Sequence, residues 1–209
     1  LDKLEQLPLM AEVYSLKGDS WRDIGIHMQF DGLPFADAVF CQGVLYWCIW
    51  DPQKYMIFSF DMYDEVFHRI ACPDTYDEVR MPFPDNLIVT PGKENRLVVW
   101  NDSVALLYYP YLRGAPFLLE VWVLNDCFGG VKGSCSWIKN LTIGPLDGIV
   151  TAWTFWKNDE LLLGATGGRL VSYNLRSQML RNHTIQGARI PRRWEFSCVK
   201  SLVSVQGGN

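Results

Sequence analysis

One short β-type pattern recurs four times along these 209 residues: an apolar β-former three positions before a second large apolar or aromatic residue, a turn, then a second β-rich run. Val13-Tyr14-Ser15-Leu16 leads to Ser20-Trp21-Arg22-Asp23-Ile24, and Ile57-Phe58-Ser59-Phe60-Asp61 leads to Glu65-Val66-Phe67-His68-Arg69-Ile70. Val121-Trp122-Val123-Leu124-Asn125 leads after a longer loop to Ser136-Trp137-Ile138, and Leu170-Val171-Ser172-Tyr173-Asn174 leads to Leu180-Arg181-Asn182-His183-Thr184-Ile185. The units start 44, 64 and 49 residues apart. A period of about 40 to 50 residues belongs to four-stranded propeller blades, each a sheet that cannot bury both faces without a neighbour. The pattern therefore predicts an all-β fold, a β-propeller or partial propeller of about four four-stranded blades.

Turn chemistry supports the same division. Gln42-Gly43 separates Val39-Phe40-Cys41 from Val44-Leu45-Tyr46-Trp47, and Asn101-Asp102-Ser103 separates Leu97-Val98-Val99-Trp100 from Val104-Ala105-Leu106-Leu107-Tyr108. Both read as β-hairpins, as do the runs flanking Asn158-Asp159 and Gly167-Gly168. Such runs number about sixteen, which matches four blades of four strands. No segment sustains helical spacing of apolar residues over three turns. The stretch from Asp74 to Lys93 and the loop from Asp126 to Cys135 account for the long third spacing, and insertions of this kind project as surface loops.

Nine Trp, nine Tyr and eleven Phe within 49% apolar residues supply a core and exclude a disordered chain. Trp21, Phe67 and Trp137 open the second run of their units, where a bulky side chain wedges between adjacent sheets. Trp47, Trp50 and Trp122 read as strand residues in the core, with a stacking platform for bases or sugars as the alternative. The chain carries 23 acidic against 19 basic residues, a net charge of −4, which argues against a nucleic-acid partner. It has no apolar run of the roughly 18 residues that a membrane span requires. Its start, Leu1-Asp2-Lys3-Leu4-Glu5, lacks the regions of a signal peptide, so a cytoplasmic chain without membrane contact is expected.

The six cysteines contain no C-x-x-C pair and read as free thiols of a reducing compartment. Cys127 and Cys135, which bracket a hairpin loop, are the pair that a bridge would join. The three sequons, at Asn101, Asn140 and Asn182, fall in or beside strands and read as unglycosylated.

Catalytic signals are missing from this pattern. His27, His68 and His183 are widely spaced, no G-x-S-x-G elbow occurs, and in Gly129-Gly130-Val131-Lys132-Gly133-Ser134 the lysine precedes the glycine that it follows in a phosphate loop. The reading is therefore a protein that is not an enzyme, with no catalytic residue, cofactor or metal ligand assigned. The alternative is a carbohydrate-binding or carbohydrate-processing propeller, in which paired carboxylates would converge with Trp faces in one pocket.

The repeat residues also carry a family resemblance. Glu12-Val13-Tyr14-Ser15-Leu16-Lys17-Gly18-Asp19-Ser20-Trp21-Arg22 resembles the "vYsl...sSWr" signature of the plant F-box-associated interaction domain. Gly43-Val44-Leu45-Tyr46-Trp47 is similar to its "G.lyW" strand, and Ile57 to Asp61 followed by Glu65-Val66-Phe67 and Pro73-Asp74 to its "i.sFD...E.F...p" continuation. Val121-Trp122-Val123-Leu124 with Ser136-Trp137, Trp156 to Leu163, and Leu170 to Leu175 resemble later repeats, and the whole most resembles the S-locus F-box subgroup. The resemblance spans residues 12–187 as one propeller-like domain, with 1–11 a leader or linker and 188–209 a C-terminal strand and tail.

What the resemblance implies is the substrate-recognition region of an F-box protein in an SCF-type E3 ubiquitin ligase. Members dock on a Skp1-type adaptor and cullin complex through an N-terminal F-box, which this sequence does not show, and hold a target protein through the kelch-like domain. In the S-locus subgroup the targets are secreted S-RNases, met in pollen self-incompatibility. A basic target suits the acidic excess here. The expected recognition face combines Asp74, Asp77, Glu78 and Asp85 of the acidic insertion with Phe128 and Lys132 of the later loop.

Overall fold

A computed structural model describes residues 11–25, 33–50, 55–73, 93–110, 116–125, 135–157 and 159–183. Among these the chain forms fourteen strands in four antiparallel sheets. The first sheet is a hairpin of β1 (Ala11–Ser15) and β2 (Ser20–Ile24). The second holds β3 (Leu33–Cys41), β4 (Val44–Trp50), β5 (Tyr55–Asp61) and β6 (Val66–Ala71) in chain order. The third contains β7 (Lys93–Trp100), β8 (Ser103–Pro110), β9 (Phe117–Asn125) and β10 (Ser136–Leu146). The fourth contains β11 (Ile149–Phe155), β12 (Glu160–Ala165), β13 (Arg169–Asn174) and β14 (Met179–His183). Each four-stranded sheet is a meander of successive strands, as a propeller blade requires. The expected all-β propeller or partial propeller is borne out: the described residues form three four-stranded sheets and one two-stranded sheet. No helix of the described residues is long and apolar enough to cross a membrane.

Short turns set the registers. Gln42 and Gly43 have φ of 49° and 84°, Asn101 and Asp102 have 49° and 57°, and Gly167 and Gly168 have 79° and 74°. Two successive left-handed residues follow the right-handed twist of a hairpin, and Asn, Asp and Gly tolerate them at least cost. The connection between the third and fourth strands is built differently. Asp61 Oδ1 accepts hydrogen bonds from the amides of Tyr63 (2.8 Å) and Asp64 (3.1 Å), and Asn174 Oδ1 accepts them from Arg176 (3.1 Å) and Ser177 (2.8 Å). A left-handed residue closes each loop, Glu65 or Gln178, both at φ 56°. The acid or amide that ends these two repeat motifs, Asp61 or Asn174, is thus a turn former.

Packing follows the alternation of side chains across each sheet. Cys41, Val44, Tyr46, Ile57 and Ile70 of the second sheet meet Leu97, Val104, Leu106 and Tyr108 of the third in one buried cluster. The opposite face of the third sheet, with Val98, Ala105, Leu107, Leu119 and Val121, packs on Ile149, Ala152, Leu161, Leu163, Val171 and Tyr173 of the fourth. Strand β8 is covered on both faces, which is why Val104-Ala105-Leu106-Leu107-Tyr108-Tyr109 is apolar without alternation. Each fully buried aliphatic side chain in these layers contributes about 1.5 to 3 kcal/mol relative to exposure. Polar ties also cross between sheets. Tyr109 Oη lies 2.9 Å from Thr151 Oγ1, and Cys41 Sγ and Gln42 Nε2 donate to the Asp102 carbonyl at 3.3 and 2.7 Å.

Candidate protein-binding surface

All six residues expected on the recognition face, Asp74, Asp77, Glu78, Asp85, Phe128 and Lys132, lie outside the described residues. The residues from which their segments depart are described, and they adjoin one another. The insertion leaves the second sheet after Ala71, Cys72 and Pro73. The later loop is closed by the pairs Ser136 with Asn125 and Trp137 with Leu124 at the open end of β9 and β10. Trp137 Nε1 donates a 2.7 Å hydrogen bond to the Ala71 carbonyl, and Cys72, Leu124, Cys135 and Trp137 share the core between the two sheets. An indole satisfies its N–H when its ring is packed, and here that requirement ties the root of one segment to the root of the other. The wedge expected of Trp137 is therefore present.

Below these roots is a charged aromatic group that the sequence reading missed. Lys139 Nζ is 2.6 Å from Glu120 Oε1, Trp122 Nε1 donates to Glu120 Oε2 at 3.0 Å, and the ammonium stands 5.3 Å from the Trp122 ring centroid. Glu120 and Trp122 share a face because they are two apart on β9, and Lys139 stands directly opposite Trp122 on β10. Only the cross-strand register brings Lys139 there, so spacing along the chain carried no signal for it. Burial, and secondarily the Glu120 carboxylate, raise the pKa of Tyr108, which is paired with Glu120 across β8 and β9. The group sets a partly buried aromatic ring, packed against the core of the second and third sheets, between an acid and an ammonium.

Two further expectations are corrected. Cys135 is disulfide-bonded, so the expectation that all six thiols are free is overturned; Cys41, Cys48 and Cys72 stand outside any disulfide. Cys135 stands immediately before β10, beside the Ser136–Asn125 pair that closes the loop. Trp21, expected in the core, is 66% exposed. Its ring meets Tyr14 at a centroid distance of 5.1 Å, and among the described residues no neighbouring sheet covers the pair.

Ser172 Oγ lies 2.7 Å from His183 Nε2. Ser172 is 2% exposed, so this hydroxyl is a packed group with a satisfied hydrogen bond rather than an accessible nucleophile. Among the described residues no three His, Cys, Asp or Glu side chains gather as metal ligands.

Stacked four-stranded meanders define a propeller-type scaffold. The family model of the F-box associated beta propeller domain matches residues 2–206, and the chain belongs to that family. No curated protein and no solved structure matches it.

Proposed function

We propose that the chain is the target-recognition region of an F-box protein in an SCF-type E3 ubiquitin ligase, and that its targets are basic S-RNases of the self-incompatibility response in pollen. The observation that carries this reading is the seam at Ala71 and Trp137, where the acidic insertion and the later loop depart from neighbouring points on two sheets. Two segments with adjacent roots can present one composite surface. A propeller recognises a target in this way and performs no covalent step, and docking on the Skp1-type adaptor and cullin belongs to an F-box. Cytoplasmic action fits this role.

The distribution of described acids favours protein binding over the carbohydrate alternative. Asp19, Asp64, Asp102 and Asp147 occupy turns, Asp61 holds one with its side chain, and Glu120, the carboxylate bonded to Trp122, is already paired with Lys139. These six do not form the paired carboxylates over Trp faces that sugar chemistry needs, and Glu12 and Asp23, which pair on the same hairpin face as Trp21, are exposed with it rather than gathered in a concave pocket.

Charge complementarity mainly accelerates encounter, while buried aromatic or Arg anchors supply most of the affinity. Replacing Asp74, Asp77 and Asp85 by Asn and Glu78 by Gln should therefore slow association with a basic S-RNase and flatten its salt dependence. Thermal stability should stay within about 0.5 kcal/mol of wild type, because surface substitutions away from packed features contribute little. Stopped-flow association across a salt series checks both expectations. Unchanged kinetics in a folded variant would move the recognition face elsewhere.

A further inference from the structure

Two loops of the molecule share one backbone architecture and differ at their tips. In the β5–β6 loop the amides of Tyr63 and Asp64 donate to Asp61 Oδ1 at 2.8 and 3.1 Å, that of Glu65 to the Asp61 carbonyl at 2.9 Å, and that of Met62 to the Gly43 carbonyl at 3.0 Å. All four loop amides are thus bonded, so the backbone is fixed without help from the side chain at its tip. The β13–β14 loop repeats the arrangement. Arg176 and Ser177 donate to Asn174 Oδ1 at 3.1 and 2.8 Å, and Gln178 to the Asn174 carbonyl and Leu175 to the Asp159 carbonyl, both at 2.8 Å. Tyr63 and Arg176 therefore occupy the same place, and the loop geometry does not require an aromatic ring there.

Tyr63 is 94% exposed, with Met62 half exposed beside it. Neighbouring sheets of a propeller stack on sheet faces and leave hairpin tips open, so sheet stacking does not cover this ring. An aromatic side chain so exposed contributes little to folding, while on a fixed backbone it loses little freedom when a partner covers it. The turns around it form a continuous rim. Arg22 pairs with Glu65 and joins the β1–β2 hairpin to the loop, the Met62 amide joins the loop to the β3–β4 turn, and Cys41 and Gln42 of that turn bond the Asp102 carbonyl of the β7–β8 turn. Exposed Asp19, Asp64 and Asp102 stand on these turns against Lys17, since Arg22 is already paired. The rim is acidic.

We propose that the rim around Tyr63 docks a basic segment of a partner protein, with an Arg or Lys side chain lying on the Tyr63 ring and Asp64 and the neighbouring acids supplying the opposite charge. The surface is separate from the seam at Ala71 and Trp137. Tyr63 precedes β6 and Ala71 ends it, which puts about 20 Å of strand between them. A basic segment of any target fits this rim, one from an S-RNase included.

The probe is a short synthetic peptide of alternating Arg and Gly, titrated into the 209-residue chain and followed by heteronuclear NMR. It should shift the amide resonances of Tyr63, Asp64 and Asp102, and a Ser-Gly peptide of the same length should not. Tyr63→Ala should weaken binding at least about fivefold, Tyr63→Phe should stay within about twofold of wild type, and Tyr63→Arg, the residue of the equivalent loop, should abolish binding. Asp64→Asn with Asp102→Asn should weaken it in a salt-sensitive way. All these variants should keep the wild-type circular dichroism and melting temperature. Replacing Asp74, Asp77 and Asp85 by Asn and Glu78 by Gln should leave peptide binding unchanged, which separates this rim from the recognition face rooted at the seam. No binding of the Arg peptide, shifts confined to other residues, equal binding of the Ser-Gly peptide, undiminished affinity in Tyr63→Ala, or lost binding in the variant of the acidic insertion would each overturn the proposal.

Discussion

Tyr46 shows at the level of one residue how the space between sheets changes chemistry. Its side chain lies in the cluster shared by the second and third sheets, and burial, then Cys41, then Asp61, push its pKa from 10.0 up to about 12. Ionising the phenol there would leave a charge in an apolar layer. The folded pKa exceeds the unfolded value, so the native chain binds more protons between the two. The stabilisation is fully present below about pH 10 and is lost as pH rises toward about 12. Urea unfolding at pH 8, 10 and 11 should therefore show wild type losing stability faster than Tyr46→Phe over the upper interval. Parallel losses in the two proteins would show that Tyr46 does not titrate in this window. Cys41 follows the same logic, its thiol pKa raised by burial first and by Asp102 second.

At the level of elements, the strands owe their shape to a few close approaches. Gly164 lies on β12 where a Cβ would stand 2.5 Å from Thr151 Cγ2 and 3.2 Å from Trp153 Cζ2 of the adjacent β11. The pairing of β11 with β12 shifts register between Ile149 and Thr151 and again between Ala152 and Thr154, so these side chains crowd the glycine. Gly164→Ala should cost about 1 to 3 kcal/mol, the usual penalty of overpacking, measurable as a lower urea midpoint at unchanged slope. The same change at Gly43, where a Cβ would meet nothing within 4 Å, acts only through its φ of +84° and should cost about 1 kcal/mol. Equal effects at the two sites would refute the crowding argument. Turn signals made Gln42-Gly43 legible in advance. The bulges opposite Gly164 were not, because they depend on how two strands settle against the third sheet.

For the whole molecule, stability should fall from the centre of the stack to its ends. Strand β8 is buried on both faces, whereas the β1–β2 hairpin has two strands and reaches the second sheet through an exposed ion pair between Arg22 and Glu65. An exposed pair of this kind contributes about 1 kcal/mol at most, and a two-stranded hairpin is marginal without a covering layer. Native-state hydrogen exchange should find the amides of Val13 and Arg22 exchanging well before those of Leu106 and Leu107. Equal protection would mean that the hairpin is held by contacts beyond that ion pair.

The sequence by itself determined the strands, the meanders and most turns, because alternation and left-handed turn residues are local properties of the chain. The recurrence of one motif further implied that its units stack as sheets. Only the tertiary structure decided what that motif does in each unit. Trp21 and Trp137 occupy the same place in the repeat, yet Trp137 is packed with its N–H on the Ala71 carbonyl while Trp21 stands 66% exposed. Burial of a sheet face depends on the neighbouring sheet, and a strand's own residues cannot encode whether that neighbour is there. The Glu120–Trp122–Lys139 group and the shared seam at Ala71 and Trp137 arise in the same way, from residues far apart in the chain that meet only after register and stacking are set.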